Sequence, residues 1–204
     1  MLPSISRLPI YAFCDAEVTF FERDCVEEAL IEFYDAFPGR KMVFNGARQW
    51  GSNQYSSPNW YLWETRNRQN GRRTQIDADV LLNLMRNDPR GPHIDVFFTS
   101  YDLTSLGKEF CFGVSSKLTT VQSVARYRHL GFRDTRAIIK TMTWHGLGHI
   151  FDLSSSDMMH CSNQGCSMRY ATSLDELIVQ SREVENMHRM YCPECMEKLR
   201  KCLK

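Results

Sequence analysis

Apolar positions along the chain follow two periods, one helical and one alternating, and these mark out the elements before any motif is considered. In "CVEEALIEFYDAF", residues 25–37, Val26, Leu30, Phe33 and Phe37 recur at helical intervals, and the pattern stops before Pro38-Gly39. That predicts a helix from about Asp24 to Ala36. "KMVFNG" then reads as a short strand, whereas residues 46–74 keep no period and are rich in aromatics, Arg, Asn and Gly. "QIDADVLLNLMRND" predicts a second helix with Ile76, Val80, Leu81 and Leu84 turned inward, ending near Pro89 to Pro92. "HIDVFFTS" has the continuous apolar character of a buried strand, and "FCFGVSS" and "TTVQSVARYR" read as two strands joined by a turn. The helical period returns at Asp134, a candidate cap, and places Ile138, Met142, His145 and His149 on one stripe. Beyond it the chain reads as an irregular, Cys-rich tail.

Mixed helices and strands, one long helix and an irregular tail predict an α/β (α+β) core with a small metal-ordered lobe appended. The division expected is residues 1–149, ending in the His-bearing helix, and residues 150–204. The 204 residues suffice for one good core. A net charge of +1 exerts no global pull toward nucleic acid or anionic membrane. The segment from Arg48 to Arg73 interleaves Arg with Trp and Tyr, a pattern that can stack single-stranded bases. In a near-neutral chain it reads better as a surface excursion anchored by aromatics. No apolar run approaches a membrane span, and Pro9, Asp15 and Glu17 break the opening stretch, which makes a poor secretory core. A soluble, cytoplasmic monomer is expected.

Chemistry enters with "TMTWHGLGHI", residues 141–150. His145 and His149 stand four apart, one turn on one helical face, as a metal site requires. The zincin motif H-E-x-x-H has this spacing and adds a Glu after the first His as general base; here that residue is Gly146. A loop then reaches His160 and, in a turn-like setting, Met168. A third imidazole would complete a zinc site with one open position; the other readings of His160 are a loop residue or an extra ligand of the adjoining cysteines. Of eight cysteines, Cys161, Cys166, Cys192 and Cys195 crowd the last quarter, the last two as C-x-x-C. Four thiolates form a closed structural zinc set, with redox disulfides or an iron–sulfur cluster as the competing readings.

His160 directly followed by Cys161, then C-x-x-x-x-C-x-M and a distant C-x-x-C, resembles the archaemetzincin family of metzincin-clan zinc metallopeptidases. "QIDADVLLNL", "FFTSYDL", "FCFGVSS" and "VQSVARYR" are similar in kind to its upstream stretches, so the likeness runs over about residues 72–195. The resemblance implies a metzincin-like zincin fold and two zinc ions, one on His145, His149 and His160, the other on Cys161, Cys166, Cys192 and Cys195. It also implies a Met-turn at Met168 and a peptide or protein as substrate. Three departures stand out. Gly146 replaces the catalytic Glu; Asp152 stands where the family pattern has Gly, with ten residues instead of five between His149 and His160; and the stretch from Met168 to Cys192 is longer. The last two read as insertions, which closure entropy tolerates. The first removes general-base help usually worth about 10²- to 10⁴-fold.

Asp152 and Asp157 are candidate stand-ins from the lengthened loop, and Tyr170 is a candidate transition-state stabiliser or simply a packing aromatic. Arg126, Arg128, Arg133 and Arg136 read as a solvated face or as carboxylate clamps. The expectation is therefore a zinc metallopeptidase type with its hydrolytic step disabled or strongly impaired. The alternative is a pseudoprotease acting as a zinc-stabilised peptide-binding module, and nucleic-acid binding through the Cys-rich lobe comes third.

Overall fold

The computed structural model describes residues 5–37, 58–69, 74–87, 92–154 and 160–203. After a single 3₁₀ turn at Ile5–Arg7, the order is β1 (Ile10–Cys14), α1 (Phe20–Ala36), α2 (Pro58–Arg68), β2 (Ile76–Asp77), α3 (Ala78–Arg86) and β3 (Ile94–Thr99). There follow β4 (Leu103–Ser105), β5 (Lys108–Cys111), β6 (Gly113–Ser116), β7 (Thr119–Ser123), α4 (Phe132–Ile150), α5 (Leu174–Asn186) and α6 (Pro193–Cys202). Among the described residues two mixed sheets form, one in the order β1-β3-β7-β6 and a smaller one in the order β2-β4-β5. In the first, β1, β3 and β7 run parallel and β6 returns antiparallel on β7, setting Gly113 opposite Gln122 and Ser115 opposite Thr120.

Alternation along the strands builds a core on each face of that sheet. Ile10, Ala12, Val96 and Phe98 point to one side, into the larger core with α1 and α4, while Phe13, Phe97 and Val121 point to the other, against α2 and α3. Helices thus cover both faces, and the larger core continues through α5 into the Cys-rich lobe, taking in Cys166, Cys192 and Leu199. Helix α4 is central: thirteen of its nineteen residues are buried, so it has no solvated face and its orientation is fixed from several sides. Trp144 Nε1 donates to the Ala29 carbonyl of α1 at 2.9 Å, and the buried Tyr191 hydroxyl donates to the Trp144 carbonyl at 2.5 Å.

Helix α1 begins earlier than its apolar stripe suggests, because Thr19 and Glu22 form a reciprocal capping box. Val26, Leu30, Phe33 and Phe37 are buried as expected. Asp77 caps α3 through its side chain, and Val80 is only half-buried while Leu81 and Leu84 are inside. The cap of α4 is a correction: Gly131 is the N-cap, and Asp134 sits in the first turn, where it binds Arg182 through both oxygens at 2.7 and 2.8 Å. "FCFGVSS" is not one strand, since β5 and β6 part at Phe112 and join different sheets, and "VARYR" forms turns after β7. Within the stretch read as aperiodic, α2 forms and buries Tyr61 and Leu62. The tail is not irregular either, for it carries α5, capped by Ser173, and α6, opened by Pro193 at its first turn. The strand expected at "KMVFNG" lies outside the described residues, as does Asp157.

Candidate metal centres

Helix α4 presents His145 and His149 one turn apart, and the sequence folds so that both rings are held from behind. His145 Nδ1 lies 2.6 Å from the Ser167 carbonyl, and His149 Nδ1 lies 3.0 Å from the Ser154 carbonyl. A carbonyl only accepts, so each Nδ1 carries the proton and each Nε2 is left with a lone pair facing inward. Those Nε2 atoms stand 3.0 Å apart, and His160 Nε2 is 3.1 Å from that of His149. Acceptors this close repel unless a cation lies between them. With zinc–nitrogen bonds of about 2.0–2.1 Å, neighbouring donors in a tetrahedron sit about 3.3 Å apart, so the donor set fits zinc with little movement. Half-burial of all three rings leaves the fourth side open.

The floor of the site rests on one glycine and one clamp. A Cβ at Gly148 would run into the Met168 sulfur, so the glycine lets the fully buried Met168 pack directly beneath the helix. Gln180 of α5, itself buried, donates from Nε2 to the carbonyls of Cys166, Ser167 and Arg169 at 3.0, 3.3 and 3.0 Å. It thereby holds the loop whose Ser167 carbonyl orients His145, a role no sequence motif announced. The helix ends in a Schellman motif, with Leu153 N–H on the Gly148 carbonyl at 2.9 Å and Asp152 N–H on that of His149 at 3.1 Å. Asp152 has φ of 59°, the left-handed conformation that accounts for a glycine in the family pattern and that Asp tolerates better than most.

The second cluster follows immediately, because His160 and Cys161 are adjacent. Cys161, Cys166, Cys192 and Cys195 bring their sulfurs within 4.8 Å of one another, with Cys161 and Cys192 at 3.6 Å. A zinc–sulfur bond of about 2.3 Å gives tetrahedral edges of about 3.8 Å, again a fit. Protons are shared unequally among them. A hydrogen bond from Cys195, aided by the backbone N–H groups of Cys192 and Met168, pulls Cys166 down to about 6. The same bond pushes Cys195 up, and burial pushes Cys161 up to about 11. A dication displaces such protons together. By contrast Cys14 and Cys111, each buried apart from any cluster, are pushed up to about 12 by burial and are inert thiols. All eight cysteines are free.

A cavity of about 400 Å³ opens over the three histidines, lined also by β5, β6, Gln122 and Tyr170. Gly146 faces β7 here. A Cβ on it would collide with the Thr120 hydroxyl and come within 2.7 Å of Gln122 Nε2. The Tyr170 ring packs 5.0 Å from that of His160, and its hydroxyl accepts a 3.3 Å hydrogen bond from Lys108. The four arginines are engaged elsewhere: Arg126 with Asp102, Arg128 with Glu22, Arg133 with Glu185, and Arg136 with Glu28 and Glu185. They are structural ion pairs.

No family model matches the chain, and no curated protein matches it. Solved structures do. The crystal structure of archaemetzincin from Methanopyrus kandleri superposes with a TM-score of 0.70 at 22% identity, covering 100% of this chain and 99% of that one. Archaemetzincin from Archaeoglobus fulgidus, complexed with malonate, gives 0.63 at 19% identity, covering 94% and 99%. A zinc-dependent peptidase from Methanocorpusculum labreanum gives 0.57 at 18% identity, covering 93% and 99%. Mixed sheets, a central helix with two histidines and a four-cysteine lobe thus lie in one arrangement across the whole chain, and its fold is that of the archaemetzincins.

Proposed function

We propose that the chain is an archaemetzincin-type zinc protein that receives peptides over a three-histidine zinc, with its hydrolytic step disabled or strongly weakened at Gly146. The observation that carries this reading is the set of three inward Nε2 atoms, two of them committed as acceptors by Nδ1 bonds to carbonyls. Zinc bound there would polarise a carbonyl and acidify water. The chain supplies the rest. Residues 1–149 form one wall of the cleft and residues 150–204 the other; β6 lies at the sheet edge with Gly113, Val114 and Ser115 lining the cavity, so an extended peptide can lie along it. Met168 serves as the Met-turn beneath the histidines, and Tyr170 lines the cavity beside His160, the side from which its hydroxyl would serve a bound carbonyl as hydrogen-bond donor. The four-cysteine set holds a second, structural zinc.

What the chain does not place in the cleft is a base at position 146, and the Thr120 and Gln122 side chains of the strand packed against that glycine occupy the space a side chain there would enter. The second reading, a peptide-binding module without turnover, draws support from the same crowding. Metal analysis combined with a mixed peptide library separates the readings. Two zinc per chain, falling to one in His145→Ala, with trace cleavage abolished by a chelator, is the expected result. Chelator-sensitive retention of peptides with no cleavage at all would favour the binding module, and absence of zinc at the histidines would defeat both.

A further inference from the structure

Helix α4 and strand β7 meet at a buried polar contact. Thr120 and Gln122 point from the same face of β7 toward α4, and Gln122 is 1% exposed. Its carboxamide lies between two glycines. A Cβ at Gly113, the residue opposite it across the strands, would collide with Gln122 Oε1, and a Cβ at Gly146 would lie 2.7 Å from Gln122 Nε2. Gln122 Nε2 donates to the Thr120 hydroxyl at 2.6 Å, Ser115 Oγ donates to the same oxygen at 2.9 Å, and Gln122 Oε1 has no hydrogen-bond partner among the described residues. A buried amide with one end satisfied and the other unpaired, in the lining of the cavity that the three histidines share, is a costly arrangement for packing alone.

We propose that Gln122 fills the general-base position that Gly146 leaves empty, supplying from β7 a neutral hydrogen-bonding group where a carboxylate would otherwise project from α4. This rests on the peptidase-type reading of the cleft. A carboxamide accepts or donates a hydrogen bond but does not take a proton, so Gln122 occupies the position beside the histidine site without driving hydrolysis. It also explains why both contacting residues are glycines. The single change Gly146→Glu therefore does not restore a peptidase, since Thr120 and Gln122 already hold the space.

Two measurements on the full chain loaded with zinc test this. The first is thermal. Gly146→Ala is expected to lower Tm in the native chain and to raise it in a Thr120→Ala/Gln122→Ala background, where only the helix preference for Ala remains. An equal shift in both backgrounds overturns the proposal. The second is turnover on a mixed peptide library. Gln122→Glu keeps the shape of the side chain and allows the Thr120 hydroxyl to donate to the new carboxylate. That carboxylate takes the proton of the attacking water as the oxygen–carbon bond forms and passes it to the leaving amine as the carbon–nitrogen bond breaks. A gain of about 10²-fold or more over the native chain and Gln122→Ala, abolished by chelator, supports the proposal. Cleavage by the Thr120→Ala/Gln122→Ala/Gly146→Glu variant but not by Gln122→Glu leaves the peptidase-type reading standing and defeats the proposal. Native turnover equal to that of Gln122→Glu defeats it too, by placing a base elsewhere. If no variant cuts, both readings fall together.

Discussion

The residue at position 146 of α4 is decided by what lies across from it. A helix-interior Gly usually costs about 1 kcal/mol relative to Ala. At position 146 the sign reverses, because the added methyl enters the Thr120 side chain, whose hydroxyl and methyl both approach it. Overpacking of this kind costs about 1–3 kcal/mol. Gly146→Ala should therefore lose up to about 2 kcal/mol net, lowering Tm by several degrees at about 2–4 °C per kcal/mol for a chain of this size. A rise in Tm would mean that β7 yields freely. Asp152 makes the opposite case: its left-handed backbone at the end of α4 suits Gly, so Asp152→Gly should raise Tm by a few degrees while zinc binding is unchanged. The absence of Glu at position 146 was legible in the sequence, as was the His spacing. That Thr120 and Gln122 press on Gly146 was not, since a strand residue announces only that it alternates, and its partner on a distant helix depends on packing.

Helix α5 carries little apolar signal, yet its Gln180 spans three carbonyls of the loop that orients His145. Replacing it by Ala removes the side-chain donor from the Arg169 carbonyl and one of two donors from those of Cys166 and Ser167, a loss of about 1–3 kcal/mol. The looser imidazole should weaken zinc binding at the three histidines by about 10- to 100-fold, the usual effect of removing a residue that orients a ligand. Competition with a chromophoric chelator reads this directly; unchanged affinity alongside a lowered Tm would show Gln180 to be structural only. Between elements, Arg136 of α4 ties Glu28 of α1 to Glu185 of α5, and its hydrogen bond to Glu28 holds that carboxyl below its ordinary value of 4.5. A depressed carboxyl contributes stability that is fully present above its unfolded pKa and is lost as pH falls through the folded value. The Tm difference between the native chain and Arg136→Gln should thus be constant near neutrality and shrink below about pH 4.5. A gap that stayed constant to pH 3 would remove the ion pair from the account. The sequence showed these arginines only as a basic cluster, because a charge's partner lies as far away as 108 residues for Arg136 and Glu28.

Across the whole molecule, the element types came mainly from periodicity, the long helix most clearly because its stripe recurs from Ile138 to His149. The two helices of the tail escaped notice because cysteines and polar residues interrupt their stripes, and the geometry of the clustered cysteines, which hydrophobic period does not announce, sets their place. That same geometry joins the two sites. His160 and Cys161 are consecutive, and Cys161 N–H donates to the Met168 carbonyl at 3.0 Å, so the chain segment that delivers the third imidazole is pinned by the cysteine lobe. A metal in the four-cysteine site would hold His160 and Cys161 in place, and a metal at the three histidines would then be spared the entropy of fixing that dipeptide. Binding linkage is reciprocal, so the factor by which one metal strengthens the other must be the same in both directions. Cys195→Ser should weaken zinc at the histidines by about tenfold or more, and His149→Ala should weaken zinc at the cysteines by a similar factor, since each fixes one end of the same dipeptide. Titration of each variant against a chelator of known affinity measures both factors. Independent affinities would mean that residues 160 and 161 are held by the surrounding fold alone, and that the four-cysteine zinc serves the lobe without reaching the cleft.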